Sequence, residues 1–239
     1  MVTQMYQVST LQALTKGDFY GNCTIGQLLT KGDTGLGTFK DVDGEMIVLD
    51  GVCYRAKADG TVEVAQEDDS TPFASVTFLN KSLSFQLTKP IRMNKLLDKL
   101  DMQVKFKGEN NIYACRIDGK FAEVYARSEM KQQEPYKPFA DVLATDQREF
   151  DFHDVSGSLV CVYFPKYMDG LNMAGWHVHF ISDDRTMGGH VFDFELNEGV
   201  VHLGETSGFA FMIPDTDHFH SLKLQEVTKK DIEKVEKAK

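Results

Sequence analysis

Three histidines in the second half of the chain have a spacing that suits a metal ion. His177 and His179 stand in the segment GWHVHF, and His190 follows in MGGHVF. On a β-strand, residues i and i+2 point to the same face, so His177 and His179 can share one ion. If a hairpin turn is centred between Asp183 and Asp184, position 190 falls opposite position 177, where paired Cβ atoms lie about 4.5–5.5 Å apart. The pattern therefore predicts three imidazoles around one metal ion.

Three neutral ligands leave a metal with open coordination positions and its full positive charge. Structural zinc sites usually have four protein ligands, whereas catalytic sites keep a position for water or substrate. The pattern therefore indicates a catalytic Zn2+ centre. The residues alone leave open the alternative that these histidines are hydrogen-bonded strand residues.

A second H-x-H pair, His218 and His220, follows Pro214 among polar residues and is expected in a surface loop.

The motifs of several other reaction centres are missing from the sequence. Its four cysteines form no C-x-x-C pair, which argues against a zinc ribbon or a thioredoxin-like motif and favours buried free thiols. No serine or cysteine stands in a recognisable nucleophile motif. The segment Gly35-Leu36-Gly37 lacks the third glycine of a dinucleotide-binding turn. The histidines therefore remain the main chemical signal.

The charge and hydropathy of the chain exclude several classes of partner. Its 239 residues carry 26 Lys and Arg against 36 Asp and Glu, a formal net charge of -10. Nucleic acid and anionic lipid both attract an excess of positive charge, so neither is an expected partner. No segment approaches the roughly 20 apolar residues of a membrane span, and the N-terminus does not read as a signal peptide. We therefore expect a cytoplasmic protein that binds neither nucleic acid nor a membrane.

Most of the elements that must position these residues are predicted strands. Asp-Gly dipeptides at positions 43, 50, 59 and 118 predict hairpin turns between strand-like runs, including a hairpin of residues 112–117 with residues 121–127. The segment MNKLLDKL at 93–100 predicts an amphipathic helix. The charged segment at 228–239 predicts a C-terminal helix, because Thr228 and Asp231 have the spacing of a capping box.

These patterns predict a β-rich α/β protein of the α+β kind, with two lobes of mixed β-sheet and a few helices. The polar segment SEMKQQEPYKP, residues 128–138, is the best candidate for a linker, and a crossing between two halves of one body is equally compatible with it. Residues 1–130 would form an N-terminal mixed-sheet lobe. Residues 131–239 would form a β-rich lobe that carries the histidines and the C-terminal helix. The metal site is then expected at the interface between the lobes.

Longer stretches of the sequence resemble the alpha-acetolactate decarboxylase family. The matching stretches are KGDTGLGTFKDVDGEMIVLDG (Lys31 to Gly51), TPFA (Thr71 to Ala74), YARSE around Arg127, GWHVHFISDDRTMGGHV (Gly175 to Val191) and the acidic C-terminal helix. They are spread over nearly all of the chain. The resemblance implies a zinc enzyme of two lobes, usually a homodimer, that converts 2-acetolactate to acetoin and carbon dioxide.

The resemblance also implies the residues of the site and a mechanism. The implied metal ligands are His177, His179 and His190; Glu45, Arg127 and Glu236 project into the same site, and Thr38 lines it as a substrate contact. Decarboxylation of a 3-oxo acid leaves an electron pair that must be held as an enediolate, which a metal ion would stabilise as the charge develops. Arg127 would orient the departing carboxylate through two parallel hydrogen bonds. Glu45 or Glu236 would relay the proton, and the sequence leaves open which.

Two other functions remain open from the residues alone. A cupin-like metal oxygenase or isomerase also places H-x-H on a strand, and Asp183 falls where such a site carries its acidic ligand. Its last histidine, however, comes from a distant strand, whereas His190 is only 11 residues beyond His179. A metal-stabilised binding module would instead use the three histidines for stability without any turnover.

Overall fold

A computed structural model of the chain describes residues 3–236, without the side chains of Glu233 and Glu236. Within this range the strands are β1 (Gln4–Val8), β2 (Cys23–Thr24), β3 (Thr34–Thr38), β4 (Glu45–Leu49), β5 (Val52–Ala56), β6 (Val62–Val64), β7 (Ser70–Thr71), β8 (Phe73–Thr77), β9 (Leu83–Leu87), β10 (Ile91–Arg92), β11 (Ile112–Glu129), β12 (Gln147–Phe164), β13 (Gly175–Ser182), β14 (Gly188–Thr206) and β15 (Gly208–Met212). The helices are α1 (Leu11–Thr15), α2 (Ile25–Leu29), α3 (Met93–Lys107), α4 (Phe139–Thr145), α5 (Asp217–Ser221) and α6 (Lys229–Glu236).

The first sheet is built mainly from the N-terminal third of the chain. Its strands follow the order β15-β1-β8-β3-β4-β5-β6. Strand β1 pairs with β15 in parallel and with β8 in antiparallel fashion, so the sheet is mixed as expected. Asp50 and Gly51 have φ angles of 51° and 77° and form the turn between β4 and β5. This is the left-handed backbone that an Asp-Gly hairpin turn requires.

The second sheet contains three long strands and carries the histidines. Its order is β10-β14-β11-β12-β13, and β9 pairs with the far part of β14. The first residues of β14 also pair with β13. At that end, the strands β14, β11, β12 and β13 therefore form a closed ring of hydrogen-bonded neighbours. Helix α3 covers the sheet with Leu96, Leu100 and Val104, which are buried in its largest apolar core. This helix begins where the sequence predicts it and continues to Lys107.

The predicted hairpin about Asp118-Gly119 is wrong. Strand β11 runs without interruption from residue 112 to residue 129, and Gly119 lies opposite Gly157 in β12 and Gly199 in β14. A Cβ atom at position 119 would lie 2.4 Å from the carbonyl oxygen of Glu198. The glycine is therefore needed because the strands approach closely, and it marks no turn.

Apolar side chains join the two sheets face to face. Leu36 and Ile47 of the first sheet pack with Val160, Val162 and Ile181 of the second. The predicted β-rich α+β fold with few helices is confirmed. The sheets do not separate at residue 130, because β11 belongs to the second sheet and β15 returns to the first. A boundary between two folding units at residue 130 stays a prediction.

Three short helices, α1, α4 and α6, form a helical cap beside the sheets. Their buried apolar side chains pack together with Phe73 of β8, and they include Leu11, Leu14, Phe139, Val142, Ile232 and Val235. The predicted capping box of α6 is confirmed, since the Asp231 amide donates to the Thr228 hydroxyl at 3.3 Å and the Thr228 amide donates to the Asp231 carboxylate at 2.9 Å. The last predicted residues of this helix, 237–239, lie outside the described residues. No helix in the described range is long and apolar enough to span a bilayer.

Candidate active site

The three predicted histidines lie side by side on adjacent strands of the second sheet. His177 and His179 are on β13 and His190 is the third residue of β14, and all three are buried. His190 pairs with His179, so the expected pairing with position 177 is wrong by two residues. The turn is centred between Asp184 and Arg185, one residue later than expected; Arg185 takes a left-handed backbone with φ 60°, and the Ser182 amide donates to the carbonyl of residue 187. A shift of two residues keeps the side chain on the same face, so the three imidazoles still converge.

The nitrogen atoms of these imidazoles face one another across short distances. Nε2 of His177 lies 3.1 Å from Nε2 of His179 and 3.0 Å from Nδ1 of His190. Nδ1 of His179 lies 2.9 Å from the backbone carbonyl oxygen of Met46, to which it must donate because a carbonyl can only accept. Nε2 of His179 therefore presents its lone pair to the cluster. A backbone acceptor of this kind is the usual partner that orients a metal-binding histidine.

The donor set fits a metal ion such as zinc. A single N–H on Nε2 of His177 can donate to only one of the two nitrogens that face it, whereas a cation at the centre would satisfy all three lone pairs. Burial, with a smaller effect of the positive charge of Arg127, lowers the pKa of His177 to about 3. Burial followed by the charges of its neighbours also lowers the pKa of His179 well below its usual value. These two imidazoles are therefore neutral at physiological pH, as metal ligands must be.

His177 and His190 open onto a small cavity whose wall contains both polar and apolar side chains. The polar side chains at its wall are Thr38, Glu45, Arg127, His177 and His190, and the apolar ones are Leu14, Phe73 and Phe139, with Gly37 beside them. Residues of both sheets and of the helical cap contribute. A small molecule with a charged end and an alkyl end would match this distribution.

Glu45 and Thr38 reach the cavity from the first sheet. They are paired in register, Glu45 at the start of β4 and Thr38 at the end of β3, and both are buried. One carboxylate oxygen of Glu45 lies 3.4 Å from Nε2 of His179. The Thr38 hydroxyl donates to the backbone carbonyl of Gly44 at 2.9 Å. The sequence-predicted pair is thus brought to the histidines by the packing of one sheet against the other.

Arg127 reaches the same cavity from β11, where it lies opposite His190 of β14. Its Nη2 donates to the backbone carbonyl of Val235, and Nη1 lies 3.5 Å from the side-chain oxygen of Gln147. Its Cζ lies 5.1 Å from the ring centre of Phe192, within cation–π range. The Val235 contact brings the end of helix α6 to the guanidinium. Glu236 is the next and last residue of that helix, and its side chain lies outside the described part of the chain.

Other residues that the sequence singled out lie elsewhere. His218, expected in a surface loop, is in the short helix α5, and its Nδ1 lies 2.9 Å from the buried carboxylate of Asp18. His220 is on the same helix and lies 3.6 Å from Asp215. Asp183, the acidic ligand of a cupin-like site, is exposed in the turn between β13 and β14. The structure therefore gives no support to the cupin-like interpretation.

Several cavity residues were not predicted from the sequence. The apolar wall formed by Leu14, Phe73 and Phe139 comes from α1, β8 and α4, which are far apart along the chain. Phe73 lies in the TPFA stretch of the family resemblance, and this was the one sequence signal for the wall. The carbonyl of Met46, which accepts the hydrogen bond from His179, is a backbone group, so the residue type at position 46 does not reveal it. Backbone acceptors and helix-borne apolar residues become visible only when the chain is folded.

Comparison with known proteins of similar sequence and structure identifies a family. Residues 5–226 match the family model of alpha-acetolactate decarboxylase. The alpha-acetolactate decarboxylase of Methanosarcina mazei is 40% identical over 233 residues, which cover 98% of this chain and 80% of that protein. That of Bacillus subtilis is 35% identical over 236 residues, 98% of this chain and 91% of the relative. A crystal structure of the Bacillus subtilis protein matches with a TM-score of 0.95 at 34% identity, covering 98% of this chain and 100% of the other. This chain therefore belongs to the alpha-acetolactate decarboxylase family.

Proposed function

We propose that this protein is a zinc-dependent carboxy-lyase that converts 2-acetolactate to acetoin and carbon dioxide. Membership of the family supports the reaction. The observation that carries the metal dependence is the convergence of three buried imidazoles, His177, His179 and His190, beside the cavity that Arg127 lines. A cation held by neutral ligands and a guanidinium give an acidic protein the local positive charge that an anionic substrate needs.

The two kinds of side chain in the cavity wall match the two kinds of group in the substrate. 2-Acetolactate carries a carboxylate, a hydroxyl and a ketone, which are polar, and two methyl groups, which are apolar. Arg127 binds the carboxylate, and the apolar wall of Leu14, Phe73 and Phe139 contacts the methyl groups. Burial of these residues excludes water, which strengthens the attraction between the guanidinium and the carboxylate. The same contacts orient the bond that must break.

Loss of carbon dioxide leaves an electron pair that the oxygens of the substrate must hold. Bound zinc supplies a Lewis acid that stabilises negative charge on those oxygens. The carboxyl group of Glu45, buried at the cavity wall, delivers the proton to the carbon that lost its carboxylate. Glu236 is the other predicted proton donor and stays a prediction, because its side chain is not among the described ones. Thr38 borders the substrate beside Glu45.

An anaerobic product assay tests the reaction class. The purified protein, incubated with 2-acetolactate and no organic cofactor, is expected to release acetoin and carbon dioxide in equal amounts. His190→Ala should lose this activity, while His153→Ala, which replaces an exposed histidine of β12, should keep it. Absence of acetoin from the wild-type reaction would refute the proposed function. Dependence of turnover on oxygen would favour an oxygenase instead.

The homodimer that the resemblance implies and the cytoplasmic location stay predictions. Light scattering of the purified protein tests the first, since a dimer should have twice the 26.9 kDa mass of the chain. Cell fractionation tests the second. Neither result changes the chemistry proposed above.

A further inference from the structure

A buried glutamate that no motif predicted stands beside Arg127 on the same strand. Glu129 follows Arg127 by two residues in β11, so both side chains project from one face of the sheet. Nε of Arg127 lies 3.1 Å from a carboxylate oxygen of Glu129, and the two side chains are 3% and 1% exposed. The N–H direction is not aligned on that oxygen. The contact is therefore a buried ion pair without a well-directed hydrogen bond.

The burial of Glu129 requires an explanation, because a carboxylate without a partner is costly to remove from water. Among the described residues, no group donates a hydrogen bond to either oxygen of Glu129. The cation with which Glu129 forms an ion pair there is Arg127. Across the sheet, Glu129 pairs with Gln147, whose side-chain oxygen faces Nη1 of Arg127. The buried carboxylate of Glu129 therefore lies next to Arg127, whose position it can influence.

The remaining contacts of Arg127 show what this pair achieves. Nη2 donates one N–H to the carbonyl of Val235, and Nη1 approaches Gln147. Each terminal nitrogen carries two N–H groups, so each keeps a second one beyond these contacts with described residues. Two N–H groups on neighbouring nitrogens match the two oxygens of a carboxylate. Glu129 lies at the Nε side of the guanidinium, so it does not occupy this pair, and Arg127 lines the cavity.

We infer that Glu129 is a positioning residue that fixes Arg127 for the carboxylate of the substrate. The inference rests on the proposed function, because Glu129 is not among the residues that line the cavity and acts through Arg127. Its negative charge holds the Nε side of the guanidinium in place. Without that charge the guanidinium is free to tilt toward other acceptors, and its terminal nitrogens lose their alignment.

Glu129→Gln tests the inference, because glutamine keeps the shape of the side chain and removes its charge. A displacement of about 1 Å at a positioning group costs up to about a hundredfold in rate, so kcat/KM should fall about tenfold to a hundredfold. Glu149→Gln is the matched control, because Glu149 lies opposite Arg127 on β12 but is exposed. This control should stay within about twofold of the wild type. An unchanged kcat/KM in folded Glu129→Gln protein would overturn the inference.

Ligand binding separates positioning from a merely structural effect. The 3-hydroxy analogue of 2-acetolactate retains the carboxylate, whereas the product acetoin lacks it. Calorimetry should show that Glu129→Gln weakens binding of the analogue about tenfold and leaves acetoin binding unchanged. Equal weakening of both ligands would overturn the inference. In an Arg127→Lys background, Glu129→Gln should have no further effect, and a fully additive loss would also overturn it.

Two further results keep the outcomes distinct. If Glu129→Gln does not fold, Glu129→Asp is the second variant, because it retains the charge with a shorter side chain. It should weaken binding of the analogue and leave binding of acetoin unchanged. Equal effects on the binding of both ligands would overturn the inference. If the wild-type protein makes no acetoin, the proposed function fails. In that case the affinity of the wild type for the carboxylate analogue, compared with the affinity of Glu129→Gln, still tests whether Glu129 positions Arg127.

Discussion

Replacement of Arg127 by lysine separates the charge at the site from its geometry. Lysine keeps the positive charge, and its ammonium can still donate to the carbonyl of Val235 in place of Nη2. It cannot present two N–H groups on neighbouring nitrogens, so one of the two hydrogen bonds to the substrate carboxylate is lost. A hydrogen bond to a charged group contributes about 1.5–3 kcal/mol. Arg127→Lys should therefore lower kcat/KM by about tenfold to 150-fold.

Initial rates of carbon dioxide release from 2-acetolactate measure this loss. Arg148→Lys is the matched control, because Arg148 is exposed at the end of β12 near the site. It should keep the wild-type kcat/KM. Thermal unfolding of both variants checks that the protein is folded, since Arg127 also packs against Phe192. A folded Arg127→Lys protein within about twofold of the wild-type kcat/KM would remove the paired hydrogen bonds from the mechanism.

Three further predictions follow from the cavity and from buried ionisable groups. Leu14→Ala should reduce the preference for 2-acetolactate over its 2-ethyl homologue, since one methylene group is worth about 1–3 kcal/mol in an apolar pocket; a constant ratio of the two kcat/KM values would exclude Leu14 from the alkyl site. Burial raises the pKa of the Cys53 thiol to about 12, so the native protein at about pH 8 should resist an alkylating reagent at this residue until it is unfolded; fast labelling of Cys53 in the native state would contradict this. Burial also raises the pKa of the Asp18 carboxyl, so the folded state holds this proton more tightly than the unfolded chain, and stability is lost as the pH rises through the raised pKa. Relative to wild type, Asp18→Asn should gain free energy of unfolding as the pH rises above about 4 in urea titrations, and a constant difference would show that Asp18 does not titrate in this way.

Local sequence patterns identified many of the strands but not how they are paired. The Asp-Gly dipeptide at position 50 joins two strands as predicted, Glu45–Leu49 and Val52–Ala56. Asp118-Gly119 has the same signal as the true turn at Asp50-Gly51, yet the chain continues straight through it. Its neighbours, Gly157 and Gly199, come from distant segments and allow close approach. Periodicity within one segment contains no information about such partners.

The residues of the site were predicted with unequal physical support. The i, i+2 rule placed His177 and His179 on one face, and His190 joined them despite the register error because a shift of two residues preserves the face. Glu45 and Arg127 were predicted by family resemblance alone, since neither stands in a motif with its own chemistry. Glu129 lies in the YARSE stretch of the resemblance, but no role was predicted for it, because its role depends on burial beside Arg127. Packing between distant segments determines these contacts.

The account depends most on the metal held by the three histidines. The most direct measurement removes metal from the protein with a chelator and follows acetoin formation while zinc is added back. We expect activity to vanish on chelation and to return at about one zinc ion per chain, the stoichiometry of a single three-histidine site. The double variant His177→Ala/His190→Ala should bind no zinc at this site and should not recover. Full activity in the metal-free protein or in the double variant would contradict the proposed mechanism.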